Sequence, residues 1–268
     1  MTALLDKLIV KPGEAANLAG RDPKDTLGLP GKSQSKESLA ELLEELDLLQ
    51  TRLWAEGSRS VLLVLQGVDA SGKDGLIRSI FTGVSPLGCR VVSFKAPTPL
   101  ELDHDFLWRV HAACPGRGEI GIFNRSHYED VVTVGVLELF PEEVWRPRTG
   151  HIRAFEQLLD SEGTTVLKCF LHISKEEQKE RLEERLADPE KRWKFNPDDL
   201  DKRARWDDFA AAYEEAITET STEWAPWHVI PGDRNWVRNV AVATLLVETL
   251  RRLDPQLPQP RFEGVTVT

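Results

Sequence analysis

Five apolar runs, separated by longer amphipathic or charged stretches, organise the chain. Val61-Leu62-Leu63-Val64-Leu65 is unbroken by any polar residue, the pattern of a strand buried on both faces of a parallel sheet. Further runs fall at 90–94, 120–123, 164–173 and 227–230. Between them, apolar positions suit helices over 76–84, 102–113 and onward to about 161, and residues 235–253 close with a helix. Strands alternating with helices predict an α/β fold, a parallel five-stranded sheet flanked by helices.

Two regions stand outside that alternation. Leu39, Leu42, Leu43, Leu46, Leu49 and Leu53 recur at helical spacing among glutamates, predicting an amphipathic helix that packs on its own domain or faces a partner. Residues 175–219 are charged and read as a helix, breaks at Asp188-Pro189 and Asn196-Pro197, and a second helix from Asp198. Pro-marked breaks between helices suit a helical lid that hinges. Basic and acidic residues nearly cancel from Lys179 to Arg205, so a solvated helix face is the alternative. Residues 1–35 lack periodicity and read as an irregular N-terminal arm; 254–268, with Pro255, Pro258 and Pro260, read as a tail; one domain covers 36–253.

Composition narrows the function classes. A chain of 268 residues suffices for one domain with an ordinary core. A formal net charge of −10 argues against binding nucleic acid, and any polyanion would need a local cationic groove. Cys89, Cys114 and Cys169 are odd in number and form neither a CxxC pair nor a zinc spacing. No apolar run approaches the roughly 18–20 residues that cross a bilayer, and residues 1–18 lack the long apolar core of a signal peptide. A cytoplasmic protein with reduced thiols and no membrane contact is expected.

The chemistry concentrates in Gly67-Val68-Asp69-Ala70-Ser71-Gly72-Lys73-Asp74-Gly75, a GxxxxGK string between an apolar strand and a helix. Glycines let successive N–H groups point at one anion, the helix N-terminus adds partial positive charge, and Lys73 brings an ammonium. Where ordinary phosphate loops have Ser or Thr, this one has Asp74, and Asp69 lies inside the loop. Two carboxylates beside phosphate require intervening cations, so Mg2+ is expected, on Asp69 and with less weight on Asp74, which also suits a helix start. The second motif is Phe123-Asn124-Arg125-Ser126-His127-Tyr128-Glu129-Asp130, at the carboxyl end of a strand where α/β ligands sit. Arg125 can neutralise a phosphoryl group in transfer; Glu129 and Asp130 can serve the site or simply open a helix; His127 reads as packing.

Together these motifs resemble the polyphosphate kinase 2 family, as do Ser93-Phe94-Lys95-Ala96-Pro97, Phe106-Leu107-Trp108-Arg109, Arg192-Trp193-Lys194-Phe195-Asn196-Pro197 and Arg203-Ala204-Arg205-Trp206. The resemblance spans roughly 25–255. It implies a P-loop kinase fold with a helical lid and Mg-dependent phosphoryl transfer between inorganic polyphosphate and adenine nucleotides (AMP, ADP, ATP). It also implies a homo-oligomer, dimer or tetramer. Asn124, where many members have Asp, suggests the subgroup accepting both AMP and ADP; it shifts metal binding to Asp69, with Asp74, Glu119 and Glu129 as helpers. By motif, Asp69, Lys73 and Arg125 are the catalytic set. Gly67, Ala70, Ser71, Gly72, Asp74, Gly75 and Glu129 complete the phosphate site. Arg78, Lys95, Arg109 and Arg117 are candidates for a phosphate track. Trp193 can stack on adenine while Arg192 and Lys194 hold phosphates. Two competing readings are an ATP-dependent nucleoside monophosphate kinase, which Asp74 disfavours, and a nucleotide-responsive regulatory module, which would not need Arg125.

Overall fold

A computed structural model describes residues 2–260, and there the apolar runs form the strands β2 Ser60–Gln66, β3 Cys89–Ser93, β4 Ile120–Asn124, β5 Thr164–His172 and β6 Trp227–Pro231. All seven residues of β2 are buried, as the unbroken apolar run requires. β2 lies between β4 and β5, parallel to both, with Val61 opposite Ile120 on one side and Thr165 on the other. β3 extends the sheet beyond β4, and β6 extends it beyond β5, both parallel.

The sheet has a sixth strand, which corrects the expectation of five parallel strands. Ile9–Val10, here β1, pairs antiparallel with β6, so the sheet is mixed, in the order β1-β6-β5-β2-β4-β3. The arm read as irregular therefore contains a helix, Thr2–Leu8, and an edge strand. A strand of two residues has no period to detect, and it is held by pairing with a partner more than 200 positions away. The helix expected over 102–113 is two short ones, Pro99–Leu102 and Trp108–Ala113. Between them, Leu107 N–H donates to the Asp105 carboxylate at 2.9 Å, a local turn that competes with helix. Residues 261–268 of the tail lie outside the described residues.

Two cores cover the sheet. On one side, Leu42, Leu46 and Leu53 of the Lys32–Glu56 helix meet Leu246 and Leu250 of the Asn235–Leu253 helix. The leucine stripe thus packs on its own domain. On the other side, Phe123, Tyr128, Phe155, Phe209 and Trp227 pack together. Among the described residues no helix is long and apolar enough to cross a membrane.

His228 on β6 belongs to this interior, and burial lowers its pKa to about 4. The neutral ring is favoured in the fold, while the unfolded chain protonates near 6.5. Stability is therefore fully present above pH 6.5 and declines as pH falls towards 4. We expect roughly 3 kcal/mol to be lost over that window, most of it absent in His228→Gln, as read by urea unfolding at pH 7 and pH 4. Equal pH slopes for the two proteins would exclude His228 as the cause.

Parallel register brings the carboxyl ends of β2, β4 and β5 to one edge. The glycine-rich loop follows β2, Arg125 follows β4, and the charged segment from Ser174 follows β5.

Candidate functional site

The loop leaves β2 with Gly67 at φ +148° and reaches the Lys73–Phe81 helix through Gly72 at φ +95°. Ala70, at φ +62°, is left-handed without being glycine, and so is Arg125, at φ +63°, across the site. Two residues in a sparsely populated conformation at one site indicate a backbone held for function. Arg125 N–H donates to the Leu65 carbonyl at 3.1 Å, which fixes the turn against β2.

Lys73 folds back on the loop, donating to the Gly67 carbonyl at 2.7 Å, the Val68 carbonyl at 3.2 Å and Ser71 Oγ at 3.1 Å. Burial, with Arg125 nearby, lowers its pKa to about 8. Its ammonium is thus held among neutral acceptors at the loop.

Asp69 gathers two cations. Arg125 Nη2 donates to one oxygen, and Lys202 Nζ reaches the other at 3.1 Å. Burial alone would raise the Asp69 pKa; Arg125, Lys73 and Lys202 outweigh it and hold the carboxyl below its usual range. Arg125 Nη1 also stands 3.7 Å from Glu129. Asp74, more exposed, accepts from Asn124 Nδ2 at 2.7 Å and from Lys194 Nζ at 3.4 Å. The amide at 124 therefore donates to the second loop carboxylate.

The charged segment after β5 lies over this loop. Gln178 donates to the Asp69 carbonyl at 2.9 Å. Arg181 donates to the carbonyls of Ala70 and Ser71 at 3.1 and 3.0 Å, and to that of Gly232 at 2.7 Å. Asp199, raised by burial and by Asp69, pairs with Arg185 at 3.4 Å. The cleft enclosed by Gly67, Asp69, Arg125, Glu129 and Lys202 has a free volume of about 20 Å³, room for a water molecule. A larger, mostly apolar cavity of about 600 Å³ adjoins it, sharing Val68, Trp206 and Tyr213, but the cations converge on the small cleft.

The structure gathers Asp69, Lys73, Asp74, Arg125, Glu129 and Lys194 with loop residues Gly67, Ala70, Ser71, Gly72 and Gly75. Other expected residues lie elsewhere. Arg117 precedes β4, beside the start of β2, where Gly118 N–H donates to the Arg59 carbonyl at 2.7 Å. It is at the opposite end of the strands from Arg125. Arg78 occupies the last turn of the Lys73–Phe81 helix, away from the loop. Arg109 is committed to Asp130 at 3.5 Å, Glu101 at 3.8 Å and the Lys95 carbonyl. Lys95, just beyond β3, is exposed at the correct end. Arg192 donates to the Leu186 carbonyl at 3.0 Å, and Trp193 is 77% exposed with Lys194 Nζ 5.2 Å from its ring centre. His127, read as packing, is fully buried with Nε2 3.3 Å from the Glu156 carboxylate.

Sequence reasoning missed Lys202, Gln178, Arg181 and Arg238. Two of them, Arg181 and Lys202, lie in the stretch where opposite charges cancel along the chain. Arg238 did leave a signal, a guanidinium among the apolar positions of the closing helix.

Residues 30–258 match the sequence model described as Polyphosphate kinase 2 (PPK2). The AMP/ADP-polyphosphate phosphotransferase of Meiothermus ruber is 55% identical over 257 residues, 96% of each chain. The ADP-polyphosphate phosphotransferase of Rhodopseudomonas palustris is 43% identical over 242 residues, 84% of each. The crystal structure of Polyphosphate Kinase 2 from Arthrobacter aurescens TC1 superposes with a TM-score of 0.93 at 41% identity, over 97% of this chain and 93% of that one.

Proposed function

The chain belongs to the polyphosphate kinase 2 family, and from that premise we propose an enzyme that transfers a phosphoryl group from inorganic polyphosphate to AMP and ADP, reversibly. The extent of identity to the Meiothermus ruber relative supports this acceptor range. The observation that carries transfer, rather than binding alone, is Arg125: a left-handed backbone holds its guanidinium on Asp69, facing the loop that ends in Lys73.

The loop amides and Lys73 bind phosphate at the reacting end. Lys73 exchanges its loop carbonyls for phosphate oxygens, a stronger, charge-assisted contact. Arg125 turns to the phosphoryl group in transfer and neutralises its charge. Asp69, released, orients the acceptor phosphate through an intervening cation. Entry into so small a cleft requires the Lys202–Asp69 contact to part, which supports a lid motion of 175–219. Trp193 then offers an exposed aromatic face to adenine.

Mg2+ enters the same reading. Among the described residues no group of three or more His, Cys, Asp or Glu is arranged to hold a metal. Asp69, with Asp74 at the helix start, offers the carboxylate oxygens that would hold a magnesium ion, a hard cation. Bound there, it would neutralise phosphate charge.

The test is an acceptor assay with long-chain polyphosphate, Mg2+ and either AMP or ADP, with products separated by chromatography. We expect ATP from ADP, and ADP followed by ATP from AMP. Transfer from ATP to AMP, with none from polyphosphate, would instead establish a nucleoside monophosphate kinase.

A further inference from the structure

Arg238 is only 2% exposed, in the first turn of the Asn235–Leu253 helix. Its surroundings are wrong in sign for a cation. The N-terminus of its own helix is partially positive. So is that of the Lys73–Phe81 helix, against which the guanidinium lies: a β-carbon on Gly72 would come 2.1 Å from Nη1, and one on Gly75 would come 3.8 Å from Nη2. Arg181 Nη1 lines the same wall, 3.2 Å from that Gly72 position. Burial and Arg181 lower the Arg238 pKa to about 9. Nε and Nη2 bond only to the neutral Asn239 Oδ1, at 3.1 and 2.8 Å. Among the described residues, no carboxylate forms an ion pair with Arg238.

A cation taken out of water without a counter-charge is costly, and a natural interior normally pairs it. Here the loop itself intervenes between Arg238 and the place where an anion would sit. Gly72 permits the approach in two ways: its φ of +95° suits glycine, and its missing side chain leaves room for Nη1. We infer that Arg238 is a positioning residue of the loop, whose missing counter-charge is supplied by an inorganic oligophosphate bound on the opposite side. The inference rests on the reading of the loop as a phosphate site and adds a residue behind it. The field of Arg238, acting across one peptide layer of low dielectric, adds to those of Lys73 and the helix N-terminus.

The test is calorimetric titration of the full chain and its variants with tripolyphosphate in Mg2+, alongside thermal melts without ligand. Arg238→Met is expected to weaken binding about tenfold while its unliganded melting temperature does not fall. Arg238→Lys, which keeps the charge, should weaken it by no more than about threefold. Arg238→Gln, which keeps a donor for Asn239, replaces the Met variant if that does not fold. Wild-type affinity in the neutral variants, with or without lost thermal stability, would overturn the inference and leave the phosphate reading standing. Equal weakening by Met and Lys would trace the effect to the guanidinium's shape and overturn the claim about charge. A wild-type protein that does not bind tripolyphosphate would remove the phosphate reading, and this inference with it.

Discussion

Arg125→Asn is expected to lower kcat for ADP phosphorylation about a thousandfold, with a much smaller change in KM for polyphosphate. The choice of asparagine follows from the backbone. Arg125 sits at φ +63°, where alanine would add strain of about 1 kcal/mol and confuse the result, whereas asparagine tolerates that region. Burial works against the Arg125 charge, but Glu129 and Asp69 outweigh it and keep the guanidinium firmly protonated. The lost quantity is therefore a fixed cation and its fork of donors. Ground-state phosphate is still held by Lys73 and the loop amides, so binding suffers less than turnover. Arg125→Lys keeps the charge without the fork and should fall between wild type and Asn. Steady-state kinetics with polyphosphate and ADP decide it: kcat within tenfold of wild type in the Asn variant would remove Arg125 from the transferring machinery.

What the chain discloses depends on how local each interaction is. The glycine-rich loop was legible because strand, turn and helix start are contiguous, and each residue's part follows from its neighbours. The leucine stripe of 37–56 was legible for the same reason, although the helix begins earlier, at Lys32. β1 was not, because pairing with β6, rather than any property of Ile9 and Val10, makes it a strand. Arg117, a candidate for the phosphate track, stands close in sequence to the second motif yet far from it in the fold. A strand separates it from Arg125, and a five-residue strand such as β4 spans about 17 Å. Lys202 and Gln178 reach Asp69 across 133 and 109 positions, a distance over which no periodicity carries information. Charge summed along the chain hid Lys202 too: on a protein of net charge −10, the folded loop is nevertheless ringed by Lys73, Arg125, Arg181, Lys194, Lys202 and Arg238, which outnumber the acids beside them.

The turn that carries Glu129 depends on an ion pair that the reading of His127 as mere packing left unseen, and breaking that pair should have the largest effect on stability. Lys168 and Glu156 are both fully buried, with Lys168 Nζ 2.6 Å from Glu156 Oε2. Lys168 also donates to the Thr220 carbonyl at 2.7 Å and to the Tyr128 hydroxyl at 3.0 Å, and that hydroxyl donates to Glu156 Oε1 at 2.8 Å. His127 Nε2 lies 3.3 Å from the same Oε1. Burial alone would raise the Glu156 pKa; Lys168 and His127 outweigh it, so the carboxylate stays charged in an apolar core. Lys168→Met would leave that charge unpaired. The expected cost is about 3–5 kcal/mol, a fall in melting temperature of roughly 10 °C. Glu156→Leu should cost a similar amount by stranding the ammonium. The double variant, with both charges gone and the volume filled, should recover most of the loss, because two desolvated charges and their mutual attraction nearly cancel. Urea unfolding of the four proteins closes a double-mutant cycle. Additive losses, with no recovery in the double variant, would mean that the two side chains stabilise the core independently and that the pair does not hold the turn. Recovered stability with persistently low kcat would instead separate the two duties of the network: the core accepts apolar replacements, while Tyr128 and His127 need the Glu156 carboxylate to hold Glu129, and through it Arg125, at the loop.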